Sequence, residues 1–320
     1  MIRETRVHPT EESSVKSSNN TIHVALVFGG MSEEREVSLM SFEDFKHTLL
    51  DLGYKVTPVD MGSDISAVLQ KIKPDVVFNG LYGTYGEDGC LAGALEILGI
   101  KYTHSGVLAS ATGLNKEASY NVFHDKNLRY AEHKIISKKD NILNDPMPRP
   151  YVIKPISQGS SVGVILVFEE DNFKFSDYDW KYGDRVIVEA YVPGKEISVA
   201  VFGDKAIGAI ELAPKQGFYD FKNKYTDNMT VHIMPAAIDK ADYAHMLEMA
   251  EIAHKAIGCR TLSRSDFRYN PEQGRDGCYI LEINTHPGMT KLSIVPEICA
   301  YYNITFKDII DRLVKDALES

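Results

Sequence analysis

The run Tyr279-Ile280-Leu281-Glu282-Ile283-Asn284-Thr285-His286-Pro287-Gly288-Met289-Thr290 starts as a short apolar segment and breaks at Pro287-Gly288. In a strand, alternate side chains share a face, so Glu282 and Asn284 point one way while Ile283 packs the other. The run Arg264-Ser265-Asp266-Phe267-Arg268-Tyr269 has the same alternation, and Asp266 lies sixteen residues before Glu282. A hairpin turning through residues 270–276 sets Asp266 beside Glu282 and Asn284, with the Arg264 cation next to them. An oxygen-only set of this kind suits magnesium or manganese rather than zinc. Magnesium needs few protein oxygens because phosphates and waters complete its octahedron, so the partner this site predicts is a nucleotide. The alternative for the same residues is a hairpin with a solvated acidic edge. Arg264 and the Pro-Gly break weigh against it.

Outward from that hairpin, 320 residues with 44% apolar content suffice for two or three domains with ordinary cores. Cys90, Cys259, Cys278 and Cys299 are widely spaced with no Cys-x-x-Cys, and read as buried or incidental thiols rather than a disulfide framework. A formal charge of -10 argues against a chain whose main task is holding nucleic acid, although it permits a local cationic pocket. No apolar run reaches the roughly 18 residues that a membrane span needs. The polar residues 1–21 carry no hydrophobic segment and read as a flexible N-terminal extension rather than a secretory signal, so the expected location is the cytoplasm.

Residues 23–28 form a strand-like run ending in Gly29-Gly30, followed by a helical stretch with Phe42, Phe45 and Leu49 on one face that stops at Gly53. This strand-turn-helix lacks the Gly-x-Gly-x-x-Gly fingerprint of dinucleotide sites. Glu34, Arg35 and Ser38 fall at the carboxyl end of the strand, where Glu34 could hold a substrate ammonium directly or through a hydroxyl. A glycine-rich stretch over residues 80–89 permits tight turns and close approach of backbone to a bound group. Lys116 near the head of a helix gains meaning only with Lys154, which ends the strand at residues 151–155.

The Ser/Gly segment 156–164 then offers small side chains, hydroxyls and exposed amides to anionic oxygens. It leads into a strand expected over residues 162–168, so it is a flap rather than the strand-loop-helix of a Walker loop. Glu189 and Glu196, on strands either side of Pro193-Gly194, could read an adenine amino group and ribose hydroxyls. The polar, aromatic loop 213–229 reads as a lid, in which Lys224 would meet phosphate and Tyr225 substrate. A helix over residues 242–258 is expected to face the core with Ala244, Leu247, Ala250 and Ile257. The last helix, opened by Thr305 with Asp308, is expected to bury Ile309, Leu313 and Val314.

Taken in order and spacing, segments 29–38, 83–89, 159–163, 264–266 and 282–290 resemble the D-alanine–D-alanine ligases of the ATP-grasp superfamily, a resemblance that runs over about residues 24–318. It implies a three-domain α/β fold. An open α/β substrate-binding domain (22–104) precedes two α+β domains, central (105–192) and C-terminal catalytic (193–320), which sandwich the nucleotide. It also implies a homodimer. The implied reaction phosphorylates one D-alanine on its carboxylate with ATP, and the amine of a second D-alanine displaces the phosphate, giving ADP, phosphate and the dipeptide used for peptidoglycan precursors.

By the same resemblance, Lys116, Lys154, Ser161 and Lys224 contact the nucleotide phosphates, Glu189 the adenine and Glu196 the ribose. Asp266, Glu282 and Asn284 hold two magnesium or manganese ions. Arg264 and the Gly288 amide stabilise charge in the transition state, Glu34, Ser160 and Tyr225 orient the first D-alanine, and Leu292 and Ser293 receive the second, with Tyr82 nearby. Three positions depart from the family pattern. Tyr82 stands where histidine is common, and a phenol donates a hydrogen bond but is no cation at neutral pH. His104 replaces a glycine and Ala190 a lysine. Tyr225 resembles the dipeptide-forming members rather than those that make D-alanyl-D-lactate.

Overall fold

A computed structural model of the chain describes residues 21–214 and 230–320. The extension up to residue 20 and most of the expected lid, with Lys224 and Tyr225, lie outside the described residues.

The first sheet is parallel and ordered β2-β1-β3-β4, from β1 (His23–Phe28), β2 (Lys55–Asp60), β3 (Val76–Asn79) and β4 (Lys101–Tyr102). β1 and β3 are near-continuous apolar runs because both of their faces are covered. Val24, Leu26, Val76 and Phe78 meet Phe45 and Leu49 of α1 (Arg35–Asp51). Ala25, Val27 and Val77 meet Leu69 of α2 (Ile65–Ile72) and Leu91 and Leu95 of α3 (Cys90–Leu98).

After α4 (Val107–Leu114) and α5 (Lys116–Asp125), the latter capped by the Asn115 side chain accepting from the Ala118 amide, the chain changes to antiparallel pairing. β5 (His133–Ser137), β6 (Tyr151–Pro155), β7 (Ile165–Val167) and β8 (Arg185–Ala190) form a sheet ordered β5-β8-β6-β7. The strand expected from residue 162 begins only at Ile165. Ser160, Ser161 and Gly163 all take positive φ (52, 58 and 74°), so the segment before it coils instead of extending.

The third sheet, ordered β11-β10-β9-β12-β13, uses β9 (Lys195–Phe202), β10 (Lys205–Pro214), β11 (Thr230–Ile233), β12 (Leu262–Tyr269) and β13 (Cys278–Asn284). One face packs α6 (Lys240–Ile257), whose buried residues include Met246, Met249, Ala250, Ala253 and Ile257. Ala244 is exposed, contrary to expectation: the helix starts at Lys240 behind an Asp239 cap, and the bulkier methionines take the core-facing stripe. The other face packs α7 (Ile294–Tyr301) and α8 (Phe306–Glu319). The Thr305–Asp308 capping box forms as expected, and Ile309, Leu313 and Val314 are buried. α8 also packs on β3 and β4, so the first and third sheets share one hydrophobic core. No helix among the described residues is long and apolar enough to cross a membrane.

Candidate active site

β12 and β13 pair antiparallel with Arg264 opposite Asn284 and Asp266 opposite Glu282, the register that alternation in the two runs predicts. A bulge between Asp266 and Phe267 lets the strand bend beneath the cleft. Arg264 forks onto the Asp266 carboxylate, Nε to Oδ1 and Nη2 to Oδ2 both at 2.8 Å. From the other neighbouring strand, Ser198 lies opposite Asp266 and its Oγ donates to Oδ1 at 2.6 Å. Asn284 Oδ1 accepts the His286 amide at 2.8 Å, which starts the turn through Pro287-Gly288.

Two lysines come down from the second sheet and α5. Lys116, at the first turn of α5, pairs with Glu282 at 3.1 Å and donates to the Gln158 carbonyl at 2.8 Å. Lys154, ending β6, pairs with Glu189 Oε1, while the Tyr120 hydroxyl donates to Oε2 at 2.8 Å.

The opposite wall comes from the first sheet. Glu34 sits at the N-terminal cap of α1 and accepts from Ser160 Oγ at 3.1 Å, across 126 residues of sequence. Glu87 lies behind it, where its Oε1 accepts the Gly83 amide at 3.1 Å. Burial, and then the negative charge of Glu34, push the Glu87 carboxyl up to about 8. The Tyr82 phenol is buried and its oxygen accepts the Met289 amide at 3.0 Å. At Gly288 an added Cβ would stand 3.0 Å from Ser293 Oγ, so the glycine keeps this turn close to the head of α7. Leu292 is 44% exposed on the rim.

These groups line two adjoining clefts. One is bounded by Glu34, Tyr82, Ser160, Arg264, Gly288 and Ser293, and also by Leu292 and Asn284. The other is bounded by Lys154, Ser161 and Glu196. Lys116, Asp266 and Glu282 border both. Glu189, 2% exposed, lies beside the second cleft's Lys154, pairing with it and accepting from the Tyr120 hydroxyl.

Among the described residues no three His, Cys, Asp or Glu side chains gather as a metal cluster. Asp266, Glu282 and the Asn284 amide make a sparse all-oxygen set, which fits a hard cation whose remaining positions go to phosphate and water.

Two residues of the site were not singled out from sequence. Glu87 had a signal, a carboxylate inside the glycine-rich stretch; Ser198 had none, because only sheet pairing brings it to Asp266.

The molecule superposes on the crystal structure of a D-alanine–D-alanine ligase from Bacillus anthracis with a TM-score of 0.80 at 25% identity, covering 93% of this chain and 98% of that one. A structure of the Bacillus anthracis enzyme complexed with ATP matches with the same TM-score at 23% identity. The fold is therefore a multi-domain α/β architecture of the ATP-grasp kind. A profile of the D-ala D-ala ligase C-terminus matches residues 108–315. Curated D-alanine–D-alanine ligases from Rickettsia africae (strain ESF-5) and Rickettsia akari (strain Hartford) are 50% and 51% identical over 315 residues, 98% of this chain and 98% of each relative. The chain belongs to the D-alanine–D-alanine ligase family.

Proposed function

We propose that the chain joins two D-alanine molecules at the expense of ATP, releasing ADP and phosphate through a D-alanyl phosphate, and so supplies the dipeptide for peptidoglycan precursors. The observation that carries this reading is one cleft with two unlike walls. A cationic and acidic hairpin, Arg264-Asp266 with Glu282-Asn284, faces the Glu34–Ser160 pair across it.

A carboxylate and an amine do not condense in water at useful rates, so the site must activate one and hold the other beside it. In our reading the nucleotide lies between the second and third sheets, with Lys116, Lys154 and Ser161 toward its phosphates and Glu196 toward its ribose. Asp266, Glu282 and Asn284 would hold magnesium or manganese, which when bound screens the phosphate charge against the incoming carboxylate. Glu34, held by Ser160, accepts the ammonium of the first D-alanine. Arg264 and the Gly288 amide receive the oxygen charge that develops at the reacting carbonyl, where one donor of this type is worth about 3–4 kcal/mol. Ser293, at the head of α7, takes the carboxylate of the second D-alanine beside Leu292 and Tyr82. Glu189, which holds Lys154, lies toward the adenine. The same reading divides the chain into domains at about residues 104 and 192 and makes it a homodimer.

The test is purified protein with ATP, magnesium and D-alanine, following phosphate release and identifying the product by mass, with L-alanine and D-lactate in parallel. D-alanyl-D-alanine should form in step with phosphate, with L-alanine inert. ATP binding without any dipeptide would refute the assignment.

A further inference from the structure

The turn that carries Gly288 is gripped through a side chain that the proposed chemistry does not use. His286 is buried, and three residues attached to the first sheet hold it. The His104 ring stacks on it with centroids 3.8 Å apart and planes 11° from parallel. The Tyr82 ring meets it edge-on at 5.7 Å, and Asn79 Nδ2 lies 3.3 Å from Nδ1.

His104 occupies a backbone conformation suited to glycine, with φ +69°. Its Nδ1 is 3.0 Å from Thr103 Oγ1, whereas its buried Nε2 has no hydrogen-bond partner among the described residues. A ring in a left-handed conformation, with one nitrogen unsatisfied, is unfavourable by itself and must be offset by what its face contacts. The face stacks on His286, and Phe78 meets the His104 ring at 5.9 Å in an edge contact.

We propose that the His104–His286 stack is a positioning device for the second amino acid, fixing the 286–293 turn, and with it the Gly288 amide and Ser293, against the first sheet. This rests on the proposed function. The Tyr82–Met289 hydrogen bond fastens the same turn three residues further on, so the stack sets the angle of the turn as well as its distance. The Glu34–Ser160 pair is built from other elements and does not pass through the stack.

The direct test is His104→Gly, which removes the ring while placing glycine in a conformation that it adopts without strain, so folding is retained. Initial-rate analysis resolving the two D-alanine sites should show kcat/KM for the second site falling about tenfold, since small misplacements near reacting atoms have effects of that order or more. The KM values for ATP and for the first D-alanine should stay within about twofold. His286→Leu should give the same split, His286→Phe should recover most of the loss by restoring a stacking face, and the His104→Gly/His286→Leu double variant should be no worse than either single one. A second-site kcat/KM unchanged in His104→Gly, losses that multiply in the double variant, or equal losses at both amino acid sites would each overturn the positioning role. A wild-type protein that makes no dipeptide would overturn the functional reading as well, and that result is seen before any variant is made.

Discussion

Replacing Glu87 by Gln should change how stability depends on pH. An ordinary glutamate titrates near 4.5, and burial with the neighbouring Glu34 charge pushes Glu87 up to about 8. The folded state therefore binds this proton more tightly than the unfolded chain does. The resulting stabilisation is fully present below about 4.5, falls as pH rises from there, and is gone above about 8. A tenfold change in proton affinity corresponds to about 1.4 kcal/mol. The whole shift would thus be worth on the order of 5 kcal/mol if Glu87 alone bore it, and about half that if Glu34 shares the proton. Glutamine keeps the size and cannot ionise. Urea unfolding of the ligand-free wild type and of Glu87→Gln, from pH 5 to 8.5, should give curves that diverge with rising pH, the variant gaining roughly 2–4 kcal/mol relative to wild type. Parallel curves across that range would refute the argument, because Glu87 would then titrate alike in both states.

Ser198→Ala removes the 2.6 Å hydrogen bond to Asp266 and should weaken magnesium binding to the nucleotide complex by about tenfold in titration calorimetry, with nucleotide alone bound as before. Gly194 has φ +110°, and an added Cβ would lie 2.1 Å from the Tyr269 carbonyl oxygen, so Gly194→Ala should destabilise by roughly 3 kcal/mol or more; an unshifted melting temperature would contradict this. Tyr120→Phe takes one donor from the buried Glu189 and should lower stability by about 1–3 kcal/mol in urea unfolding, with the Glu189–Lys154 pair kept.

Much of the site was legible because period-two alternation can be read without knowing the fold. Asp266 and Glu282 fall opposite one another because both runs alternate in phase and the turn between them is short. The glycine-rich stretch and Ser160 were visible as composition, although nothing local said that Ser160 would reach Glu34. Contacts set by sheet order were not legible. Ser198 faces Asp266 because β9 is the neighbour of β12, which no window of sequence contains. The packing of α8 on the first sheet is of the same kind, since its apolar stripe shows that it must be buried but not against what. The partners of Glu189 were not legible for a further reason: a carboxylate on a strand can meet many groups, and Lys154 and Tyr120 arrive from elsewhere.

Among the described residues, the three cations assigned to phosphate and transition state each hold an acid in the free protein: Lys116 with Glu282, Lys154 with Glu189 and Arg264 with Asp266. Buried pairs of this sort contribute little net stability, because desolvation nearly cancels their attraction, but losing one member leaves an uncompensated charge. Exchange of partners avoids that penalty. If a phosphate draws Lys116 away, Glu282 is left for a divalent cation; if the cation takes Glu282 first, Lys116 is left for phosphate. Nucleotide and metal should therefore each favour the other beyond their own direct contact, with a coupling of about 1–3 kcal/mol typical of linked sites. Glu282→Gln separates the two effects. It releases Lys116 without needing a metal, so metal-free nucleotide should bind at least about fivefold more tightly than to wild type, while the gain from adding magnesium should largely vanish. Calorimetric titration with and without chelator measures both quantities. Weaker or unchanged metal-free binding in this variant would show that Glu282 does not compete with nucleotide for Lys116.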